Sequence, residues 1–556
     1  MDTTNNKKTI LWTKVALTAA FCLFALLFFN RCSQDWFVEN NDNFSIASVT
    51  SSLKYDNYVI FLNPVLCGII NKLAHLMPKS DAFAAASLIL CELAFVWCAF
   101  LVFTHTQGLK KIIYITVIAL YASIGIYSQN FTVIAAFLIA AGISPLLAMI
   151  LCGKTKGAYT AVSVFFIAFG YMYRSECVLL FLPFAVVCIT AALLQNKDNK
   201  ALFKKSLMSN IFAVIAALAV LGGAAHLTNN IPDIKEGIAF NTARASVQDY
   251  PLLPYEKAKE NLPANVTEND YTLITHFMTP DTMRMDTAFL QTFADAAIDR
   301  APNRAEIIKD TLQKNKYSLK STILFLCTLA VFLTLIVSRE NAAKKAAAFF
   351  CFLGIILCGA AFLYIGRLPE RVLISVITAG LSALCAILYT ADIKSQKAGY
   401  IAFAAIFIAA VSRYAAKDMG SKPFAIFTAK TYNADFEEPV AATYTDGCVF
   451  IWDTINYSLA PAMYFSANGK LPSEQFEMHN ISAGGWSYMQ RYQRQAFAEM
   501  GIQNPAYDLV YRPGTYYVGE LSVMETYIKE NIEPDIHSEL IGYILNTPVY
   551  KFTADK

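Results

Sequence analysis

The feature that most constrains this chain is the recurrence of long apolar runs, most of them about twenty residues in length. A helix of that length spans the hydrocarbon core of a bilayer, which is about 30 Å thick. Inside lipid each run must satisfy its own backbone hydrogen bonds, so each one predicts an α-helix. We expect about eleven transmembrane helices, near residues 10–29, 82–103, 112–127, 131–151, 158–173, 177–194, 208–227, 320–338, 346–364, 372–390 and 399–415.

The composition excludes a soluble enzyme and a nucleic-acid-binding protein. Hydrophobic residues make up 56% of the 556 residues and charged residues 16%, whereas soluble domains carry about a quarter charged residues. The net charge is only +3, and no basic tail or basic patch is present, so no nucleic-acid partner is expected. Most of the 13 cysteines lie inside apolar runs without disulfide or metal-ligand spacing, so they predict neither a disulfide framework nor a metal site.

Lysine and arginine in the short loops predict the orientation. They are concentrated in every second loop, which places those loops in the cytoplasm. The first run ends without a signal-peptidase site, so it is predicted to be a retained helix. We therefore expect a multi-pass protein of the plasma membrane with a cytoplasmic N-terminus and an extracytoplasmic C-terminus. The basic residues are Lys110, Lys111, Lys154, Lys156, Lys197, Lys200, Lys204, Lys205, Arg339, Lys344, Lys345, Lys394 and Lys397.

Three segments are long and polar, and this orientation places all of them outside the cytoplasm. They divide the chain into a multi-pass transmembrane domain, 1–415, with outer loops at 30–80 and 228–318, and a soluble domain, 416–556. Within the first loop, an apolar stretch over 59–77 is interrupted by polar residues. It predicts an amphipathic helix at the membrane surface rather than another span.

The C-terminal segment alternates strand-like and helical runs, which predicts a small α/β or α+β domain. We place strands at 448–452, 508–511, 516–518 and 548–552, and helices at 455–465, 488–500 and 521–531. The predicted fold class is thus an α-helical polytopic membrane protein with a small extracytoplasmic C-terminal domain.

An acidic pair, Glu39 and Asp42, directly follows the first predicted helix, in the stretch 38–52. A carboxylate held at a membrane surface suits chemistry on a lipid with a charged head group, where it can serve as a general base. The competing interpretation is an ordinary solvated loop. Asp42 is our candidate catalytic base and Glu39 the reserve candidate, since a helical loop would place both carboxylates on one face.

Further charges collect at the outer ends of the predicted spans and in the second outer loop. A charge close to hydrocarbon is costly unless it is paired or hydrated, which favours a functional role. The alternative is that the long side chains simply extend to the membrane surface. We predict that they bind lipid phosphate or the donor sugar, because guanidinium groups bind phosphate bidentately. The residues are Arg174, Glu176, Arg244, Asp249, Arg367, Glu370 and Arg371.

Such a set fits glycosyl transfer from a polyprenyl-phosphate sugar to an envelope glycan, with membrane lipid as a further partner. The leaving group is an anionic lipid phosphate, whose developing charge arginines stabilise. The acceptor hydroxyl needs a base, and a single displacement inverts the anomeric centre. A magnesium or manganese ion bridging carboxylate and phosphate is compatible with this chemistry without being required by it.

The sequence resembles the GT-C-fold membrane glycosyltransferases, among them protein mannosyltransferases and aminoarabinose-lipid A transferases, and multi-pass proteins typical of Clostridia-like Firmicutes. The resemblance implies an acidic residue of the first outer loop as catalytic base and a polyprenyl-phosphate sugar as donor. Asp42 is the matching residue, and Asn41 stands where a second Asp often stands. The motifs are Asn40 to Ser45, Asn63-Pro64, Gln129 to Thr132, Ala243-Arg244, Asp249 to Pro251, His479-Asn480 and Gly484 to Trp486.

Two other classes of function stay open from the sequence. A transporter or flippase of lipid-linked saccharides would usually show internal repeats and helices broken at mid-membrane, which we do not find. A non-catalytic scaffold for envelope glycans could use the aromatic-rich C-terminal segment to stack on sugars, although such aromatics also build protein cores. No serine or cysteine nucleophile with a partner histidine occurs at a known spacing.

Overall fold

We describe the fold from a computed structural model of the chain. The structure describes Leu11, Trp12, Lys14, Val15, Thr18 and Ala19, and residues 41–76, 82–127, 130–154, 156–195, 200–299, 303–314, 319–338, 340–391, 447–456, 479–544 and 547–554. The predictions for Glu39, for the run at 399–415 and for most of the run at 10–29 lie outside these residues.

Apolar helices make up the membrane part, as predicted. Nine of the eleven predicted runs coincide with helices of the described residues. The helices up to residue 229 are α1 (Asn41–Ser51), α2 (Pro64–Leu76), α3 (Ala82–His105), α4 (Gly108–Tyr127), α5 (Phe131–Leu151), α6 (Gly157–Tyr173), α7 (Ser175–Gln195) and α8 (Lys200–Asn229). Those that follow are α9 (Pro232–Gln248), α10 (Tyr255–Ala258), α11 (Glu268–Thr275), α12 (Thr287–Ala297), α13 (Arg304–Lys314), α14 (Leu319–Val337), α15 (Ala342–Ile365) and α16 (Glu370–Thr390).

Six of these helices are long and apolar enough to cross a membrane: Ala82–His105, Phe131–Leu151, Ser175–Gln195, Lys204–Asn229, Ala342–Ile365 and Glu370–Thr390. The apolar helices Gly157–Tyr173 and Ser321–Val337 are shorter. The polytopic helical membrane fold is therefore confirmed, while the count of about eleven spans stays a prediction.

Helices α5 and α16 form the centre of the bundle, and each is 83% buried along its apolar window. A Cβ on Gly142 of α5 would lie 2.3 Å from the Ser163 carbonyl oxygen, and one on Gly170 of α6 would lie 2.7 Å from the Ala135 carbonyl oxygen. Small residues thus let the backbones of α5 and α6 approach closely, as is usual between membrane helices.

The predicted surface helix is α2, but it begins at Pro64 rather than at residue 59. The Asn63 side chain accepts a hydrogen bond from the Val65 N–H at 3.1 Å, which satisfies a backbone donor of the first turn. Proline suits the first helical position because it needs no hydrogen-bonded N–H. Leu66 and Ile70 are fully buried, whereas Ile69 on the other face is exposed. The exposed part of α2 therefore mixes the apolar Ile69 with the polar Lys72 and His75, as expected of a helix at a membrane surface.

The C-terminal part forms a five-stranded mixed sheet with helices, which confirms the predicted mixture of strands and helices in this part of the chain. Its elements are β1 (Val449–Trp452), β2 (Asn480–Ser482), α17 (Arg491–Met500), α18 (Pro505–Tyr511), β3 (Thr515–Val518), α19 (Leu521–Asn531), β4 (Ile536–Ile544) and β5 (Thr547–Ala554). The strand order is β2-β1-β3-β5-β4. β2, β1 and β3 are parallel, and β5 pairs antiparallel with β3 and β4.

One predicted strand, at 508–511, is wrong, because these residues belong to helix α18. Pro505 occupies the first turn, and the Asp508 carboxylate accepts hydrogen bonds from the N–H groups of Gln503 at 2.8 Å and Asn504 at 3.0 Å. Proline and a carboxylate at the start of the segment stabilise a helix there. Strands β2 and β4 were not predicted.

The sheet shares one hydrophobic core with helices α9 to α12 of the second polar segment. The rings of Phe240 and Tyr488 lie 6.0 Å apart, and the Thr279 N–H donates to the Ala483 carbonyl at 2.8 Å. In this core Arg284 pairs with the fully buried carboxylate of Asp270 at 2.5 Å. We call helices α9 to α13 together with the sheet and its helices the head.

The two ends of the bundle differ in chemistry. At the head-side end, α5 begins at Phe131 and α16 at Glu370; at the far end they finish at Leu151 and Thr390. Lys110 and Lys344 lie at the far end, where their ammonium groups donate to the backbone carbonyls of Tyr389 and Thr390. Which end faces the cytoplasm stays a prediction.

Candidate functional site

The predicted base Asp42 forms an ion pair with Arg371 at the head-side end. Asp42 lies in the first turn of α1, and Arg371 lies in the first turn of α16. Asp42 Oδ2 and Arg371 Nη1 are 3.2 Å apart, and the two side chains are 26% and 36% exposed. The N-terminus of a helix favours a carboxylate in its first turn, which Asp42 supplies in α1.

A second ion pair joins the head to the same end of the bundle. Asp249 ends α9, and Arg367 lies in the turn between α15 and α16, where Gly366 adopts φ +81°. Asp249 Oδ2 and Arg367 Nη2 are 3.0 Å apart, and both side chains are partly exposed. The Arg367 guanidinium also lies 5.1 Å from the centre of the Tyr250 ring. Charge and cation–π attraction thus hold Arg367 against the head.

Arg244 is a buried cation held by neutral groups. It is only 6% exposed, and it donates to Asn241 Oδ1 at 3.0 Å and to Gln248 Oε1 at 2.7 Å. Burial lowers the pKa of Arg244, and Asp249 and Asp42 oppose that shift through their charges. Arg367 acts in the same direction as burial. Arg244 therefore lies within electrostatic range of both ion pairs.

The structure thus brings together five of the residues singled out in the sequence. We call Asp42, Arg244, Asp249, Arg367 and Arg371 the acid–arginine site. Its two ion pairs are partly exposed, and such pairs contribute only about 0–1 kcal/mol each. An incoming phosphate can therefore replace either carboxylate at little cost. Glu370, also predicted, precedes Arg371 in the first turn of α16 and adds a third carboxylate to this helix end.

Arg174 and Glu176 form a separate group on the same side of the bundle. Arg174 Nε lies 3.6 Å from Glu176 Oε2, and Arg174 Nη1 donates to Thr132 Oγ1 at 3.1 Å. Its guanidinium lies 5.1 Å from the centre of the Phe131 ring. Among the described residues, no contact joins Arg174 or Glu176 to the acid–arginine site, although the sequence led us to expect one set.

The stretch that follows α1 is fastened to the head. Asp56 pairs with Arg491 of α17 at 3.2 Å, and its N–H donates to Gln495 Oε1 at 2.8 Å. The Tyr55 and Tyr492 rings meet edge to face, with centres 5.3 Å apart. The head thus restrains the chain that continues from Asp42.

The described residues do not include a cluster of side chains that could by itself coordinate a metal ion. None of them forms a group of three or more His, Cys, Asp or Glu that could hold an ion. The Asp42 carboxylate instead pairs with a cationic side chain, that of Arg371. We therefore derive no step through a metal ion.

Sequence reasoning missed the neutral neighbours of the site: Asn241 and Gln248 around Arg244, and Tyr250 beside Arg367. A signal was present for the amides, because positions three and four residues from Arg244 share its face of a helix. Tyr250 directly follows Asp249, which had been singled out. Its contact with Arg367 could not be predicted, because the two residues are 117 positions apart in the chain.

The chain matches no family model and no curated protein. Among solved structures it is similar to the crystal structure of ArnT from Cupriavidus metallidurans bound to undecaprenyl phosphate. The match covers 96% of this chain and 97% of that chain, with 10% sequence identity and a TM-score of 0.34. At this identity and TM-score, the match supports no conclusion about family, substrate or mechanism.

Proposed function

We propose that the protein is a membrane glycosyltransferase that moves a sugar from a polyprenyl-phosphate donor to a cell-envelope glycan, glycolipid or polymer on the outer face of the membrane. The observation that supports this most is the acid–arginine site. One carboxylate, Asp42, lies at the head-side end of the helix bundle, paired with Arg371 at 3.2 Å and within electrostatic range of the buried Arg244. This combination provides a base and a receptor for an anionic lipid phosphate.

In the resting site both carboxylates occupy the guanidinium groups that the phosphate needs. Donor binding would move Arg371 and Arg367 from Asp42 and Asp249 to the phosphate oxygens. Arginine suits this exchange, because its planar guanidinium binds carboxylate and phosphate in the same bidentate geometry. The buried Arg244 keeps positive charge behind the phosphate, with its orientation fixed by Asn241 and Gln248.

Release from Arg371 leaves the Asp42 carboxylate able to accept a proton. In the proposed step the acceptor oxygen attacks the anomeric carbon and its proton passes to Asp42. The bond between that carbon and the phosphate oxygen breaks, and its electron pair leaves with the polyprenyl phosphate. The arginines stabilise the charge that develops there. One displacement inverts the anomeric centre.

Arg174 and Glu176 lie outside the acid–arginine site, so we assign them a different role. They lie on the same side of the bundle, where Arg174 contacts Thr132 and Phe131 at the start of α5. We propose that they bind the donor or acceptor rather than the reacting phosphate. Glu39 stays the reserve candidate for the base.

The test compares cells that lack the protein with cells that carry wild type, Asp42→Asn, Glu39→Gln or the control Asp535→Asn. Asp535 is an exposed carboxylate of the head, far along the chain from the site. We expect deletion and Asp42→Asn to abolish the same envelope glycan, with the unreacted polyprenyl-linked sugar accumulating, and Asp535→Asn to behave as wild type. If deletion changes the glycan but Asp42→Asn and Glu39→Gln do not, the protein acts as a transporter or scaffold instead.

A further inference from the structure

A second feature of the bundle lies at the far end, away from the acid–arginine site. A cavity of about 210 Å³ opens between helices α3, α4, α5 and α16. Its walls are mostly apolar, with Phe95, Val117 and Phe137 among them, and Lys154 and Lys156 lie at the position where α5 has ended. A cavity of about 150 Å³ with apolar walls accommodates a benzene ring. This one has room for a segment of hydrocarbon chain.

The cavity extends along the helices that line it. On α3 it is lined from Ala94 to Thr106, and on α4 from Tyr114 to Tyr121. At 1.5 Å per helical residue, the first of these stretches measures about 18 Å and the second about 10 Å. The cavity therefore runs along the helices from the far end towards the middle of the membrane, which is the direction of a lipid chain.

The cavity is distinct from the acid–arginine site. It reaches Ser382, Cys385 and Tyr389 near the end of α16, whereas Arg371 lies in the first turn of that helix. From Arg371 to Tyr389 the axial distance is about 27 Å. A ligand in the cavity therefore belongs to the opposite leaflet from a lipid phosphate at Arg371.

The mouth of the cavity is positively charged. Within the described residues, Lys154 and Lys156 form no ion pair, and the Lys156 ammonium lies 4.8 Å from the centre of the Tyr159 ring. Glu340, an acidic residue at the same end of the bundle, does not neutralise them, because its carboxylate pairs with Lys344 at 2.9 Å. Two cations thus lie at the opening of an apolar channel without a described counter-ion.

From these features we infer that the cavity binds one acyl chain of an anionic glycerophospholipid, with the lipid phosphate against Lys154 and Lys156. The second acyl chain remains in the bilayer, because the cavity has room for only part of one chain. Lysines at a membrane surface attract anionic lipids, and they favour them over zwitterionic lipids of the same chain length. Phosphatidylglycerol has the required chemistry.

The test uses full-length protein in nanodiscs of phosphatidylcholine mixed with phosphatidylglycerol, followed by native mass spectrometry. We expect one phosphatidylglycerol molecule to stay bound to the wild type while the bulk lipid of the nanodisc is removed. Each lysine contributes about fivefold in affinity, so Lys154→Gln combined with Lys156→Gln should weaken retention by roughly 30-fold. The matched control, Lys257→Gln with Lys259→Gln, removes two charges from the head and should change nothing.

A further variant separates the chain from the head group. Ala148 lines the cavity, so Ala148→Leu reduces the space for the acyl chain without altering charge. This variant should release phosphatidylglycerol although both lysines remain. Equal retention of phosphatidylcholine and phosphatidylglycerol by the wild type would overturn the inference. So would retention that survives the double lysine substitution, or displacement of phosphatidylglycerol by equimolar polyprenyl phosphate.

Discussion

Replacing Asp42 by Asn should tighten, rather than weaken, the binding of polyprenyl phosphate. The reason is competition: Asp42 and the lipid phosphate use the same guanidinium, that of Arg371. The ion pair is 3.2 Å long, and its side chains are 26% and 36% exposed. Pairs with this much solvent contact contribute about 0–1 kcal/mol. Removing the competing carboxylate should therefore strengthen phosphate binding by up to about fivefold.

Replacing Arg371 by Gln should have the opposite and larger effect. A hydrogen bond to a charged group contributes about 1.5–3 kcal/mol, which corresponds to binding that is roughly 10- to 150-fold weaker. Transfer should fall in both variants, since Asp42→Asn removes a base that typically contributes 10²–10⁴-fold. Binding and transfer thus change in opposite directions in Asp42→Asn and together in Arg371→Gln.

The assay is equilibrium binding of undecaprenyl phosphate to purified, detergent-solubilised protein, followed by intrinsic tryptophan fluorescence. Asp535→Asn serves as control for the loss of a carboxylate and should bind as wild type. Thermal unfolding of each variant checks that folding is intact, because loss of so exposed a pair should cost no more than about 1 kcal/mol. Weaker binding by Asp42→Asn would refute the competition, and wild-type binding by Arg371→Gln would remove that arginine from the phosphate site.

Three further predictions concern the head and the orientation. Arg284→Ala leaves the Asp270 carboxylate buried and unpaired, so it should cost about 3–5 kcal/mol of unfolding free energy in thermal or chemical denaturation, and a loss under 1 kcal/mol would contradict the ion-pair description. Gly484→Ala places a Cβ 2.1 Å from the Phe277 carbonyl oxygen, so the same measurement should show a loss of at least about 1–3 kcal/mol, and wild-type stability would disprove this close contact. Reporter fusions in the loop between α7 and α8 should report the cytoplasm and those between α11 and α12 the outside; the reverse pattern would invert the proposed topology.

The membrane part of the fold was predictable because lipid leaves so few alternatives. The boundaries of α5, predicted at 131–151, agree with the structure, since its sequence is almost entirely apolar. The head was harder to predict, because short segments there take their conformation from their neighbours. The residues at 508–511 have the composition of a strand, yet Pro505 and the Asp508 carboxylate start a helix.

The site was predicted as a set of residues but not as an arrangement. Asp42, Asp249 and Arg371 could be singled out because each is a charge near a membrane surface. Which carboxylate pairs with which arginine could not be predicted, since the ion pairs join segments separated by 118 and 329 positions in the chain. Arg174 was expected in the same set, and it instead contacts Thr132. Sequence position alone does not reveal which nearby polar atom a long side chain will reach.

The shared core of the head has a consequence for biosynthesis. Helix α12 ends at Ala297 and β1 begins at Val449, so the first half of that core is made about 150 residues before the second. At about 5–20 residues per second, the ribosome needs roughly 8–30 s for this interval, during which α14 to α16 enter the membrane. The parts of α9, α11 and α12 that the sheet and its helices cover in the complete head stay exposed throughout that time. The nascent protein is therefore expected to need a chaperone on the side of the membrane where the head assembles.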